Sequence, residues 1–260
     1  MRRNMLASDY DGTLFFWDIQ NYREKDLEAI RRFQAEGGLF GICTGRSLEM
    51  IEKPVHERGQ LSPDFYIAAT GAEIADGQGN ILYQQPIPWS VLERIHKVSE
   101  GNGLCIPKDG TYWCLNEDHY DPDPNNPMQV APSLDFFKDI DICTASFEYG
   151  DHAEAARQAA FYTREFPELA FHLNNGSVDF NLAGIDKATG VRKAAELFGF
   201  SLEDVSVVGD NFNDMSMLEN IPDSYTFHTS PLVVQEAAHQ VVDSVADVIA
   251  ELETREETAS

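Results

Sequence analysis

Two stretches of alternating strand-like and helix-like pattern, separated by a long segment that breaks the alternation, constrain this chain more than any other feature. Near its start the apolar run "NMLAS" precedes "REKDLEAIRRFQAEGG", which puts Leu27, Ile30 and Phe33 on one helical face and stops at Gly37-Gly38. "LFGICT" then reads as a strand, "RSLEMIEKPVHERG" as a helix that Pro54 kinks or shortens, and "DFYIAA" as a third strand. That order implies a parallel sheet with right-handed crossovers. The alternation resumes after Asp186, with "KATGVRKAAELFGF" a helix, "DVSVVG" a strand, "NDMSMLENI" a helix and "SYTFH" a strand. Two further helices are expected around "PLVVQEAAHQ" and "SVADVIAELET".

The intervening segment has another character. "TGAEIADGQGNILYQQPI" reads as two strands across a turn at 76–80, and "GLCIP", "TYWCLN", "DICTASFEY", "LAFHLN" and "SVDFNLA" as antiparallel strands around a helix at "DHAEAARQAAFYTREF". The loop "NEDHYDPDPNNP" has acidic spacing like that of a calcium loop, but prolines fill its gaps and the central glycine is missing, so it reads as irregular surface. The expected fold is α/β: a doubly wound parallel-sheet core, residues 1–79 and 184–260, with an inserted α/β domain at 80–183.

Charge narrows the partners. A net charge of −25, from 19 Lys and Arg against 44 Asp and Glu, argues against nucleic acid and against anionic membrane surfaces. No apolar run approaches the ~20 residues that cross a bilayer, and "MRRNMLASDYDG" turns acidic before any signal-like stretch, so a cytoplasmic protein is expected. Cys43, Cys105, Cys114 and Cys143 form no C-x-x-C pair and are expected to be reduced core residues.

In an open parallel sheet, ligands bind beyond the carboxyl ends of the strands. The first strand delivers Asp9 and Asp11 there, the second Thr44-Gly45-Arg46, and "VSVVG" delivers Asp210, Asn211, Asn213 and Asp214, while Lys187 opens the helix after the insertion. Converging carboxylates repel one another unless a cation joins them, and an all-oxygen set suits Mg²⁺ rather than zinc or copper. Thr44 and Lys187 are donors that a phosphoryl group needs. One motif aspartate can attack phosphorus while the other, held protonated, donates to the leaving oxygen.

These residues resemble the haloacid dehalogenase (HAD) superfamily, whose four motifs occur in order as "DYDGTL" (9–14), "TGR" (44–46), Lys187 and "GDNFND" (209–214). The insertion resembles the α/β cap of its Cof-like sugar-phosphatase branch. The resemblance implies a HAD-like Rossmannoid core and a Mg²⁺-dependent phosphatase acting on a small phosphorylated metabolite, expected to be a sugar phosphate. It implies that Asp9 is the nucleophile forming an aspartyl-phosphate and that Asp11 protonates the leaving group and then activates water. Asp9, the Asp11 backbone carbonyl and Asp210 would ligate the metal, with Asp214 assisting. Thr44 and Lys187 would hold the phosphoryl oxygens, and Gly12, Gly45, Arg46 and Asn213 would line the phosphate. A phosphotransferase or phosphomutase, or a binding protein on the same scaffold, remain the alternatives. Where relatives carry a Gly-Asn-Ala-like turn this chain has "FHTSPL", and Trp113, His119, Asn174 and Asn175 are the candidates for selectivity in the cap.

Overall fold

The run Met5–Ser8 is buried at every position, so its backbone groups need strand partners on both sides. In the computed structural model, which describes residues 4–99, 103–115, 128–174 and 176–259, this run is β1. After it come β2 (Phe15–Phe16), β3 (Asn21–Tyr22), α1 (Glu24–Ala35), β4 (Leu39–Cys43), α2 (Leu48–Arg58), β5 (Phe65–Ala68), β6 (Glu73–Asp76) and β7 (Ile81–Gln84). The middle of the chain forms α3 (Trp89–Val98), β8 (Leu104–Lys108), β9 (Thr111–Cys114), β10 (Met128–Val130), β11 (Ala145–Glu148), α4 (His152–Glu165), β12 (Leu169–Asn174) and β13 (Ser177–Leu182). The remainder forms α5 (Lys187–Phe198), β14 (Val205–Val208), α6 (Met215–Asn220), β15 (Asp223–Phe227), α7 (Leu232–Ala237), β16 (Gln240–Val242) and α8 (Val245–Ala259).

The chain divides into two compact units, one of residues 1–48, 54–83 and 186–260, the other of 49–53 and 84–185. The first holds an eight-stranded sheet in the order β16-β15-β14-β1-β4-β5-β6-β7, parallel from β16 to β5 and antiparallel at β6. The chain leaves β1 in one direction through β4 and β5 and returns on its other side through β14, β15 and β16, which makes the sheet doubly wound with its switch at β1. Ser8 is level with Ile42 of β4 and with Val208 of β14, so the residues after these three strands leave the sheet together. Helix α5 seats against the turn after β5 through Gly190, where a Cβ would lie 2.6 Å from the Gly71 Cα. An Asp186–Thr189 capping box sets its first residue as Lys187.

Three local expectations differ. Pro54 does not shorten α2, which runs on to Arg58 and closes at Gly59 with φ 64°. Residues 141–144 are not strand, and β11 starts at Ala145. The helix expected through "PLVVQEAAHQ" stops at Ala237, and Gln240 begins β16, paired with β15.

The second unit holds a six-stranded sheet, β10-β9-β8-β11-β13-β12. Alternation along its strands puts Leu104, Ile106, Phe147 and Phe180 into one core with Leu92 and Ile95 of α3 and Tyr162 of α4. The cysteine expectation fails here: Cys105 and Cys114 are disulfide-bonded, while Cys43 and Cys143 are free and buried. The reason is register. Asp109 and Gly110 both take positive φ, 55° and 71°, as a two-residue hairpin turn requires, and this sets Lys108 opposite Thr111 and Cys105 opposite Cys114. The loop at 116–127, with His119, and Asn175 lie outside the described residues.

Candidate active site

Asp9 leaves the sheet directly after β1, its amide donating to the Val208 carbonyl at 2.8 Å, and it is 3% exposed. The Lys187 ammonium, buried at the start of α5, donates to Asp9 Oδ1 at 2.6 Å and to Asp214 Oδ1 at 2.5 Å. The other oxygen of Asp214 accepts the amides of Asp210 (2.9 Å) and Asn211 (3.0 Å), which folds the "GDNFND" loop around it. Asp210 Oδ1 accepts the Thr13 hydroxyl at 2.9 Å. Oxygens of Asp9, Asp210 and Asp214 lie within 4.8 Å of one another. Gly12 (φ 90°) makes room for this approach, since a Cβ there would stand 2.6 Å from Asp210 Oδ2.

One lysine faces three carboxylates, and the proton affinities record the imbalance. Burial, then the charges of Asp214 and Asp210, raise Asp9 well above the ordinary carboxylate range against the pull of Lys187. Burial and Asp214 push Asp210 up to about 6, opposed by the Thr13 hydrogen bond and by Lys187. Burial alone would lower Lys187, but Asp214 and Asp9 outweigh it and hold its affinity above the ordinary range. A buried set of oxygen donors with surplus negative charge is what a hard divalent cation fits.

A second group forms beside it. The Arg46 guanidinium grips Asp11 with both arms, Nε to Oδ2 and Nη2 to Oδ1, each at 2.8 Å, and the Trp17 indole donates to Oδ1 at 3.1 Å. Arg46, expected along the phosphate, forks Asp11 here. Thr44 is buried, with its hydroxyl accepting the Arg46 amide at 3.3 Å. The turn at Ala69-Thr70, both with positive φ (49° and 57°), braces this loop by donating its amides to the Arg46 and Thr44 carbonyls. Gly45 lies in that braced loop, where an added Cβ would meet only the Thr70 hydroxyl at 3.7 Å. Asn213 is exposed, and its side chain joins none of these bonds among the described residues. Its neighbour Asn211 caps the turn by accepting the Phe212 amide.

Sequence reasoning missed Thr13, Trp17 and the strained turn at 69–70. Thr13 stands inside the first motif and could have been read as a donor to a carboxylate. Trp17 gives no periodic signal, because the strands flanking its turn are two residues each. In the "FHTSPL" turn the Ser230 hydroxyl is bonded to Thr226, and Gln235 donates to the His228 and Ser230 carbonyls. In the second unit the half-buried Trp113 packs with Phe136 against the helix-covered core, its indole donating to the Lys108 carbonyl.

A buried acid–lysine cluster at the switch point of a doubly wound sheet defines a class of α/β hydrolase. The sequence model of the haloacid dehalogenase-like hydrolases matches residues 6–251, and the chain belongs to that family. It is 34% identical to 5-amino-6-(5-phospho-D-ribitylamino)uracil phosphatase YbjI of Escherichia coli over 258 residues, covering 92% of this chain and 90% of that protein. It is 24% identical to a protein of Streptococcus pyogenes named as a bifunctional phosphatase and peptidyl-prolyl cis-trans isomerase, and spans only about half (51%) of that protein's length. Among solved structures it is similar to BT1666, a HAD phosphatase of Bacteroides thetaiotaomicron, with TM-score 0.82, 21% identity, and 97% and 94% of the two chains covered. The fold named from the motifs is therefore the observed one.

Proposed function

We propose that this protein is a phosphoric monoester hydrolase acting on a small polyhydroxylated metabolite, a sugar or sugar-alcohol phosphate, with Asp9 as nucleophile. The observation that carries this reading is the Lys187 bridge between Asp9 and Asp214 beside Asp210, buried at the carboxyl ends of β1 and β14. The name of the E. coli relative supports the substrate class, since it denotes an ester on a ribityl chain.

In the first step an Asp9 oxygen bonds to phosphorus as the ester P–O bond breaks, and Asp11 gives its proton to the departing alcohol. Water then attacks the aspartyl-phosphate, Asp11 takes a proton from that water, and the bond between Asp9 and phosphorus breaks to release inorganic phosphate. Lys187 and Thr44 hold phosphoryl oxygens, with Gly12, Gly45 and Asn213 at the phosphate's edge. Asp9, the Asp11 carbonyl and Asp210 would hold a Mg²⁺ ion, with Asp214 supporting through Lys187 and the loop amides, and the ion would neutralise charge on the phosphoryl group. Selectivity among esters is assigned to the second unit. Among the described residues no helix is long and apolar enough to cross a membrane.

The test is release of inorganic phosphate from a panel of sugar phosphates, polyol phosphates and nucleotides, with and without Mg²⁺. Turnover of sugar or polyol phosphates that requires Mg²⁺ is expected. Inertness toward every ester in Mg²⁺ would remove the reading.

A further inference from the structure

Trp17 belongs to none of the four motifs, yet it touches the residue on which proton transfer depends. Trp17 is 44% exposed, unusual for so large an apolar group. Its position is nonetheless fixed. The ring stands edge-on to Phe15 (centroids 5.2 Å apart, planes at 85°), and the buried Phe15 stacks on Tyr10 at 5.6 Å. Across the β2–β3 hairpin the Tyr10 and Tyr22 hydroxyls meet at 3.1 Å.

The indole acts on Asp11 in two ways. It donates to Oδ1, and its ring lies 5.7 Å from the guanidinium carbon of Arg46, which has the Tyr10 ring at 5.9 Å as well. Asp11 and Arg46 keep 33% and 28% of their side chains exposed, so water competes for this ion pair, and flanking rings restrict the arginine. Donor counting adds a direction. Oδ1 accepts Arg46 Nη2 and Trp17 Nε1, filling both its lone pairs, whereas Oδ2 accepts Arg46 Nε alone. Among the described residues one acceptor position remains, on Oδ2.

We propose that Trp17 is a positioning residue for Asp11: together with Arg46 it fixes the carboxylate so that Oδ2 faces the leaving oxygen. The inference rests on the assignment of Asp11 as acid and base in the proposed function. A carboxylate terminal torsion is broad, so without Trp17 the part-exposed arginine fork alone holds the group, its plane is less fixed, and proton delivery suffers while attack by Asp9 does not. Esters whose alcohol must be protonated feel this loss, and aryl esters that leave as anions do not.

The experiment compares single-turnover phosphoryl transfer in Mg²⁺ from p-nitrophenyl phosphate and from the sugar phosphate hydrolysed fastest in the panel above. Trp17→Phe keeps the ring on Phe15 and removes the donor; Trp17→His returns an N–H. The Phe variant is expected to lose about tenfold on the sugar phosphate and to stay within about twofold on the aryl ester, with Tm within about 2 °C of the parent. The His variant should recover part of the loss. Equal losses on both esters, or no loss on either, would overturn the inference. Should the Phe variant fail to fold, Arg46→Lys, which keeps the charge and breaks the fork, must show the same dependence on leaving group. Inertness of the unaltered protein toward both esters would instead remove the proposed function itself.

Discussion

The two sheets treat their polar groups in opposite ways. At the carboxyl edge of the eight-stranded sheet, Asp9, Asp210 and Asp214 are packed around one ammonium and left with surplus negative charge. On the six-stranded sheet the face opposite the helix-covered core carries a row that largely satisfies itself. There His172 and Ser146 both stand opposite Asp179, His172 pairs with Asn181 at 3.0 Å, and Asn174 donates to Asp179 at 3.2 Å. The first arrangement costs stability, and the proposed function accounts for that cost. The second carries mostly neutral donors and acceptors, which suits the selectivity proposed for this unit.

The largest effect that could break this contrast lies in the first sheet. Asp9→Asn keeps shape and removes the attacking oxygen, so turnover should fall by at least about 10⁴-fold with the fold intact by circular dichroism. Near-parental turnover in that variant would put the nucleophile elsewhere.

Lys187→Met comes next. It leaves Asp9 and Asp214 buried without their counter-charge, a change costing roughly 3–5 kcal/mol where a buried pair is broken. Lowered Tm, partly restored by Mg²⁺, and a uniform loss across all substrates are expected. A Tm unmoved by the substitution would mean that the cluster is not held by this lysine. Chelation of the unaltered protein should likewise abolish turnover reversibly, and full activity in excess chelator would contradict the oxygen-donor site.

Smaller effects belong to the second sheet. His172→Ala and Asn174→Ala should re-rank a panel of sugar phosphates by kcat/KM, by about tenfold or less, while Thr44→Ala depresses every ester together. A uniform loss in the first pair would erase the proposed division of labour.

The smallest prediction concerns Asp179, which burial pushes up to about 6 against the Asn174 hydrogen bond. Its folded value lies above the ~3.9 of an unfolded chain, so the native state binds the extra proton between the two. Stability is therefore lost as pH rises from about 4 to about 6, and the penalty persists above that. Asp179→Asn should raise Tm by a few degrees (roughly 2–4 °C) at pH 8 and by nothing at pH 4, as followed by thermal melts. A lower Tm at pH 8 would show that the charge is wanted there.

How much of this was legible in the sequence depends on range. Asp9, Asp11, Asp210, Asp214 and Lys187 could be gathered from the sequence because a parallel sheet brings its strand ends to one edge whatever lies between. The bonding of Arg46 to Asp11 could not be read, since nothing in "TGR" distinguishes a phosphate contact from a carboxylate fork. The Cys105–Cys114 bond was readable in principle. Asp109-Gly110 is a hairpin turn signal, and counting outward from it sets the two cysteines opposite each other. Trp17 was hidden because two-residue strands leave no alternation to see, and β10 and β16, three residues each, are as short of pattern.

The central claim is that Asp9 carries the phosphoryl group. Asp11→Asn protein, which lacks the base for the second step, should be mixed with p-nitrophenyl phosphate and Mg²⁺, quenched in acid and digested for mass spectrometry. The account predicts one phosphoryl group on the peptide containing Asp9, formed in a burst equal to the enzyme present and absent from Asp9→Asn. A phosphoryl group on any other residue, or nitrophenol released in a burst with Asp9 unmodified, would contradict it.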